Sequence, residues 1–301
     1  MDIQGRRRSE NFEDRGAGGG GHGGGVGSRL LFGALRMFGP KGALVVAVLL
    51  GGAYFLAPAS IKRALLGGTG SQGAGEGAKV CEVSADNAKA CDFSRAVLAS
   101  TEDVWDEKFA AGALPNYGRQ APEKYPRPTL VVFSGGVSTG GCGNATSASG
   151  PFYCPADDKL YIDPSFYDTL AKRLKSPGDF AQAFVLAHEV GHHVQNVIGS
   201  LRLKVKGETK EQVSVRTELQ ADCLAGVWGH SARADLSITD EDLDEALRAA
   251  HAIGDDALGH TDESKFSHGS SEQRVRWFRR GFDTGDPGKC DTFAVKKHGD
   301  L

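Results

Sequence analysis

The chain has 301 residues, with 35 Lys and Arg against 38 Asp and Glu and a net charge of −3. That length allows one large domain or two small ones. The slight acidity gives no hint of nucleic-acid binding. Beyond position 77 the balance is 26 basic to 33 acidic residues, once the nine and five of positions 1–77 are set aside.

Glycine is uneven: 21 of 42 fall in positions 1–77. Residues 1–28 have almost no apolar content and are predicted to be disordered. We take this Gly/Arg-rich tail to run to residue 41 and to lie in the cytoplasm. His22, alone in a glycine run, is expected to be inert. Arg6, Arg7 and Arg8 suit anionic lipid. Residues 42–57, GALVVAVLLGGAYFLA, are apolar and uncharged but short for a full span. A buried soluble helix is one alternative. A cleaved signal peptide ending at Ala57-Pro58-Ala59 is another. The flanking glycine-rich stretches offer nothing to cover a buried helix, and the long preceding region argues against cleavage. The segment is therefore predicted to be a transmembrane signal anchor. Flanking charge orients it only weakly. Residues 58–77 read as a flexible linker.

All six cysteines, Cys81, Cys91, Cys142, Cys154, Cys223 and Cys290, follow the apolar segment. An even set on one side of an anchor points to disulfides in an oxidising compartment, outside the cytoplasm. Fifteen pairings are possible. Short local loops favour Cys81–Cys91 and Cys142–Cys154, which leaves Cys223 with Cys290. No C-x-x-C spacing supports a structural zinc site.

From residue 78 the chain reads as one domain. A helix is predicted over Asp92–Gly112, with Phe93, Val97, Val104, Trp105 and Phe109 on its apolar side. Thr129–Phe133 reads as a strand and Ser134–Pro155 as a loop pinned by a disulfide. Lys159–Asp163, KLYID, alternates like a strand. Asp163-Pro164 then opens a helix through Leu174. Phe180–Gly199 has Phe180, Phe184, Val185, Val190, Val194, Val197 and Ile198 at helical spacing. A further helical run, VRTELQADCLAGVWG, covers 215–229, and Thr239 caps another opening at Ser237–Asp244.

The helix at 180–199 carries His188-Glu189-Val190-Gly191-His192. Histidines four apart share a helix face and can meet at one Zn2+. Glu189 is rotated off that pair but stays near any water beside the ion, where a general base belongs. A catalytic zinc takes three protein ligands. The long H-E-x-x-H-x-x-G-x-x-H pattern is not met, because Gln195 and Ile198 occupy its Gly and third-His places. Glu218 and Asp222 are four apart in an apolar helical run. Glu218 is the candidate third ligand, and Asp222 the acceptor that orients a ligating histidine.

H-E-x-x-H followed by E-x-x-A-D resembles the gluzincin metallopeptidases. HEVGHHVQN with ELQADCLAGVWGH resembles a bacterial family of neutral zinc metallopeptidases anchored by one N-terminal helix. The resemblance implies an α+β, mainly helical zincin-like domain with a small sheet over residues 78–301. It also implies hydrolysis of a peptide or protein substrate at the inner membrane. In such folds an edge strand holds the substrate extended, and by that resemblance KLYID is the candidate, with an ordinary core strand as the alternative. The segment His268–Val275 resembles one that places a His and an Arg near zinc, with Gly269 where that segment has proline. It implies His268 as stabiliser of the tetrahedral oxyanion, and Arg274 as a residue that orients Glu218 or the substrate. Alternatively Ser270 or Ser271 caps a helix and Arg274 faces solvent. The competing function is a membrane-tethered binding protein that keeps a zinc site without catalysis.

Overall fold

The structure is a computed structural model that describes residues 1–18, 78–118 and 120–301. The apolar segment 42–57, the linker 58–77 and part of the predicted tail lie outside the described residues. Among the described residues no helix is long and apolar enough to cross a membrane.

The first eighteen residues are not the disordered tail that composition predicts. Phe12–Gly18 form a strand, β1, which runs parallel to Thr129–Ser138, β2. Met1, Ile3 and Phe12 pack against the core, and a polar anchor adds to them. Glu102 lies fully buried on the helix Ala85–Ala110, here α2 after the short α1 at Val80–Val83. A buried carboxylate needs partners, and the N-terminal stretch brings them: Arg7 Nη1 at 2.8 Å, Ser9 Oγ at 2.6 Å and Asn11 Nδ2 at 2.7 Å. Arg8 forks onto Asp92, and Arg6 donates to the backbone carbonyl of Asp235. The three arginines assigned to lipid thus bind the domain itself. Asp14 accepts from the backbone N–H groups of Val80 and Cys81, both at 2.9 Å, and so caps α1.

Asn144–Thr146 (β3), Phe152–Cys154 (β4) and Lys159–Ile162 (β5) complete a small mixed sheet. Its order is β1-β2-β5-β4, with β3 on β2. β1, β2 and β5 are parallel, while β4 is antiparallel to β5. KLYI is therefore interior, and the path runs between two edges, β1 and β4. The Gly/Ser-rich stretch hid β3 and β4, since each is only three residues long. Alternation within β2 sends Leu130 and Val132 to the main core, while Val131 and Phe133 enter a small cluster with Cys154 and Tyr161.

Five further helices follow: Ser165–Lys172 (α3), Asp179–Ile198 (α4), Lys210–Ser231 (α5), Asp240–Ala252 (α6) and Ser271–Thr284 (α7). With the sheet they make a mixed α/β fold that is mainly helical among the described residues. Gly191 lets α4 and α5 touch: a Cβ there would stand 2.9 Å from the carbonyl oxygen of Ala221. That contact sits beside His192 on one helix and between Glu218 and Asp222 on the other.

All six cysteines are bridged, as Cys81–Cys91, Cys142–Cys154 and Cys223–Cys290. The last joins α5 to the C-terminal segment across 67 residues, for which loop-closure entropy gives about 4 kcal/mol.

Candidate functional site

α4 and α5 bring His188, His192 and Glu218 to one point. His188 Nε2 lies 3.2 Å from Glu218 Oε2, and His192 Nε2 lies 3.4 Å from Glu218 Oε1. One ligand atom from each falls within 4.8 Å of the other two. Each imidazole is held from behind. His188 Nδ1 is 2.8 Å from Asp222 Oδ1, and His192 Nδ1 is 2.8 Å from Gln195 Oε1. Both acceptors hold a proton on Nδ1, so both Nε2 atoms face Glu218. Two nitrogens and a carboxylate, with their outer nitrogens engaged, are the donor set that suits Zn2+.

Gln195, which stands where the longer zinc pattern has glycine, is explained by this geometry. Its amide donates to the Thr217 carbonyl at 2.8 Å and to Gln220 Oε1 at 2.9 Å. Gln220 in turn donates to Tyr117 and to the Cys290 carbonyl. Sequence reasoning missed both glutamines, although Gln195 at three residues from His192 was a readable signal.

Arg274 is 2 % exposed, not on a solvated face. It does not orient Glu218. It forks onto Asp222, with Nε–Oδ2 and Nη2–Oδ1 both 2.8 Å. Ser270 caps α7 in a capping box with Gln273, which sets Arg274 one turn into the helix. His268 lines the same cleft, with Nδ1 3.1 Å from Asp255 Oδ1. Asp255 is buried and also accepts the backbone N–H groups of Ser267, His268 and Gly269. Gly269 has φ +90°. Proline is locked near −65°, so this loop cannot carry the proline of the segment it resembles. Glu189 completes the cleft, which measures about 440 Å³ and is also lined by Phe152, Tyr153, Phe166, Val185, Ile253 and Leu258.

A sequence profile described as "Putative neutral zinc metallopeptidase" matches residues 1–293. The chain belongs to this family. It is 43% identical over 308 residues to the uncharacterized protein YpfJ of Escherichia coli (strain K12), covering 98% of this chain and 99% of that one. It is 45% identical over 188 residues to the uncharacterized protein Rv2575 of Mycobacterium tuberculosis (strain ATCC 25618 / H37Rv), covering 57% of this chain and 64% of that one. No solved structure matches.

The electrostatics of this His/Glu cluster follow from burial against pairing. Burial opposes charge on His188, but Asp222 and Glu218 outweigh it and push the imidazole up to about 10. Burial likewise opposes charge on Glu218, yet the two imidazoles hold it well below the usual carboxylate range. Asp222 is lowered too: Arg274 and His188 overcome its desolvation. Without a cation, His188 is therefore protonated at neutral pH. A raised histidine stabilises the metal-free fold fully below its ordinary value of 6.5, and that contribution fades as pH climbs through about 10. Zinc needs the neutral ring. Uptake at pH 7 is expected to release about one proton per ion, with affinity rising with pH. Titration calorimetry in two buffers of different ionisation enthalpy checks this. Equal heats in both buffers would contradict it.

Proposed function

We propose that the chain is a zinc-dependent endopeptidase. The observation that supports this reading is the convergence of His188, His192 and Glu218 in a cleft that also holds Glu189. Bound by these three residues, zinc would act as a Lewis acid toward a water molecule and the scissile carbonyl. Glu189 takes the proton of that water and delivers it to the leaving amine. His268, steadied by Asp255, donates to the carbonyl oxygen as that atom gains charge. Arg274 is a positioning residue: it fixes Asp222, which fixes the tautomer of His188.

The substrate would lie extended along β4. That strand has a partner on one side only, and Phe152 and Tyr153 line the cleft. An added peptide strand finds backbone hydrogen bonds there. The three disulfides support a site of action outside the cytoplasm. The apolar stretch 42–57 supports attachment to a bacterial inner membrane, with a lipid bilayer as the second partner.

The test is metal removal. The purified protein should cleave casein, lose that activity with a chelator and regain it with zinc. Zinc binding without hydrolysis of casein or of a randomised peptide mixture would favour the tethered binding protein instead.

A further inference from the structure

We infer that Tyr153, gripped by His193, Asn196 and Asp158, is a positioning residue that fixes where the substrate-binding edge strand stands relative to the metal ligands. The inference rests on the peptidase reading and uses contacts which that reading leaves unexplained.

β4 is three residues long and bonds to one neighbour, β5. So short an edge has little of its own to define its position over the cleft. Its middle residue is Tyr153. The hydroxyl donates to Asp158 Oδ1 at 2.7 Å and accepts from Asn196 Nδ2 at 3.0 Å. His193 Nδ1 stands 3.1 Å from the same oxygen. Asn196 also reaches Asp158 Oδ1 at 3.0 Å, which closes the knot.

Both helix partners belong to α4. His193 follows the ligand His192 directly, and Asn196 comes one turn after His192. Successive helical residues turn by about 100°, so His193 stands a quarter-turn round from His192, while Asn196 continues the face of His188 and His192 one turn further along. His193 is 1% exposed. Its Nε2 meets the carbonyl oxygen of Pro126. Its ring stands edge-on to Tyr125 and Tyr153, with centroids 5.5 and 5.4 Å away. An imidazole can accept at one nitrogen and donate at the other. Asp158 supplies its carboxylate from the turn between β4 and β5, where it holds φ at +55°. Non-glycine residues rarely adopt that conformation.

A strand that needed only to be buried would use apolar side chains, whose attraction has no direction. Here four polar groups satisfy one another, and hydrogen bonds are directional. The grip fixes one atom of β4 against the helix that carries His188, Glu189 and His192. A peptide paired to β4 inherits that placement.

Tyr153→Phe keeps the ring and removes the hydroxyl, and Asn196→Ala removes a donor from the helix side. Each variant is assayed for zinc content, for KM and kcat on a fluorogenic peptide, and for the positions cut in a randomised peptide mixture. In both, KM should rise about tenfold with kcat within about twofold, the signature of lost uniform binding. Zinc content should be unchanged, and the cleavage positions should spread. A fall in kcat and zinc together at constant KM would overturn the inference, because the contacts would then serve the ligand helix. Wild-type kinetics and an unchanged cleavage map in both variants would also overturn it, while leaving the peptidase reading intact. A zinc-loaded wild-type protein that cuts nothing would instead overturn the reading and this inference together.

Discussion

Glu189→Gln should keep its zinc and lose about 10³-fold in peptide hydrolysis, within the range that general acid–base catalysis supplies. Glutamine has nearly the shape of glutamate, and Glu189 makes no ion pair with the three candidate ligands among the described contacts. The ligand geometry should therefore survive. The amide cannot take a proton from water or hand one to an amine, so both proton transfers fail. Metal analysis and hydrolysis rates on the same preparation decide the matter. Loss of zinc with activity would make Glu189 a ligand or a structural residue. Full activity would remove it from the chemistry.

Asp222→Ala should be the most destabilising single change at the site. Asp222 is fully buried and receives both Arg274 and His188. Removing one partner of a buried pair leaves an uncompensated charge, at a cost of about 3–5 kcal/mol. Arg274 stays ionised without its carboxylate. His188 loses the group that fixes its tautomer, and losses of about 10- to 100-fold in metal affinity follow from such changes. Thermal unfolding and competitive zinc titration read the two effects separately. Asp222→Ala with Arg274→Ala should recover part of the stability but not the metal affinity. A double variant no more stable than the single one would mean that Arg274 draws its compensation elsewhere.

The cluster of His188, His192 and Glu218 was legible because a four-residue step on a helix is a geometric statement. His188 with His192, and Glu218 with Asp222, each fix a helix face from sequence alone. The capping residue Thr239 and the apolar helix at 180–199 were readable for the same reason, since local chemistry decides them. What joins the elements was less readable. Arg274 was assigned near the metal, but its partner Asp222 lies 52 residues away. The edge of the sheet was misplaced because a three-residue strand has too little pattern to separate from its glycine-rich surroundings. The N-terminal stretch was misread for a deeper reason. Low apolar content means a segment cannot form its own core. It does not prevent that segment from completing another core, and Arg7, Ser9 and Asn11 do so around one buried glutamate.

That completion constrains sidedness. β1 is hydrogen-bonded within the sheet that ends in β4, and Asp14 ties it to the start of α1. One sheet cannot straddle a bilayer. Met1–Gly18 and residues 78–301 share that sheet, so they lie on one side of any membrane. A cytoplasmic N-terminus with an exported domain, the arrangement read from the cysteines, does not fit β1 lying beside β2. Compartment reporters fused at Met1 and after Leu301 should therefore give the same signal, and opposite signals would mean that β1 never joins the sheet in the cell.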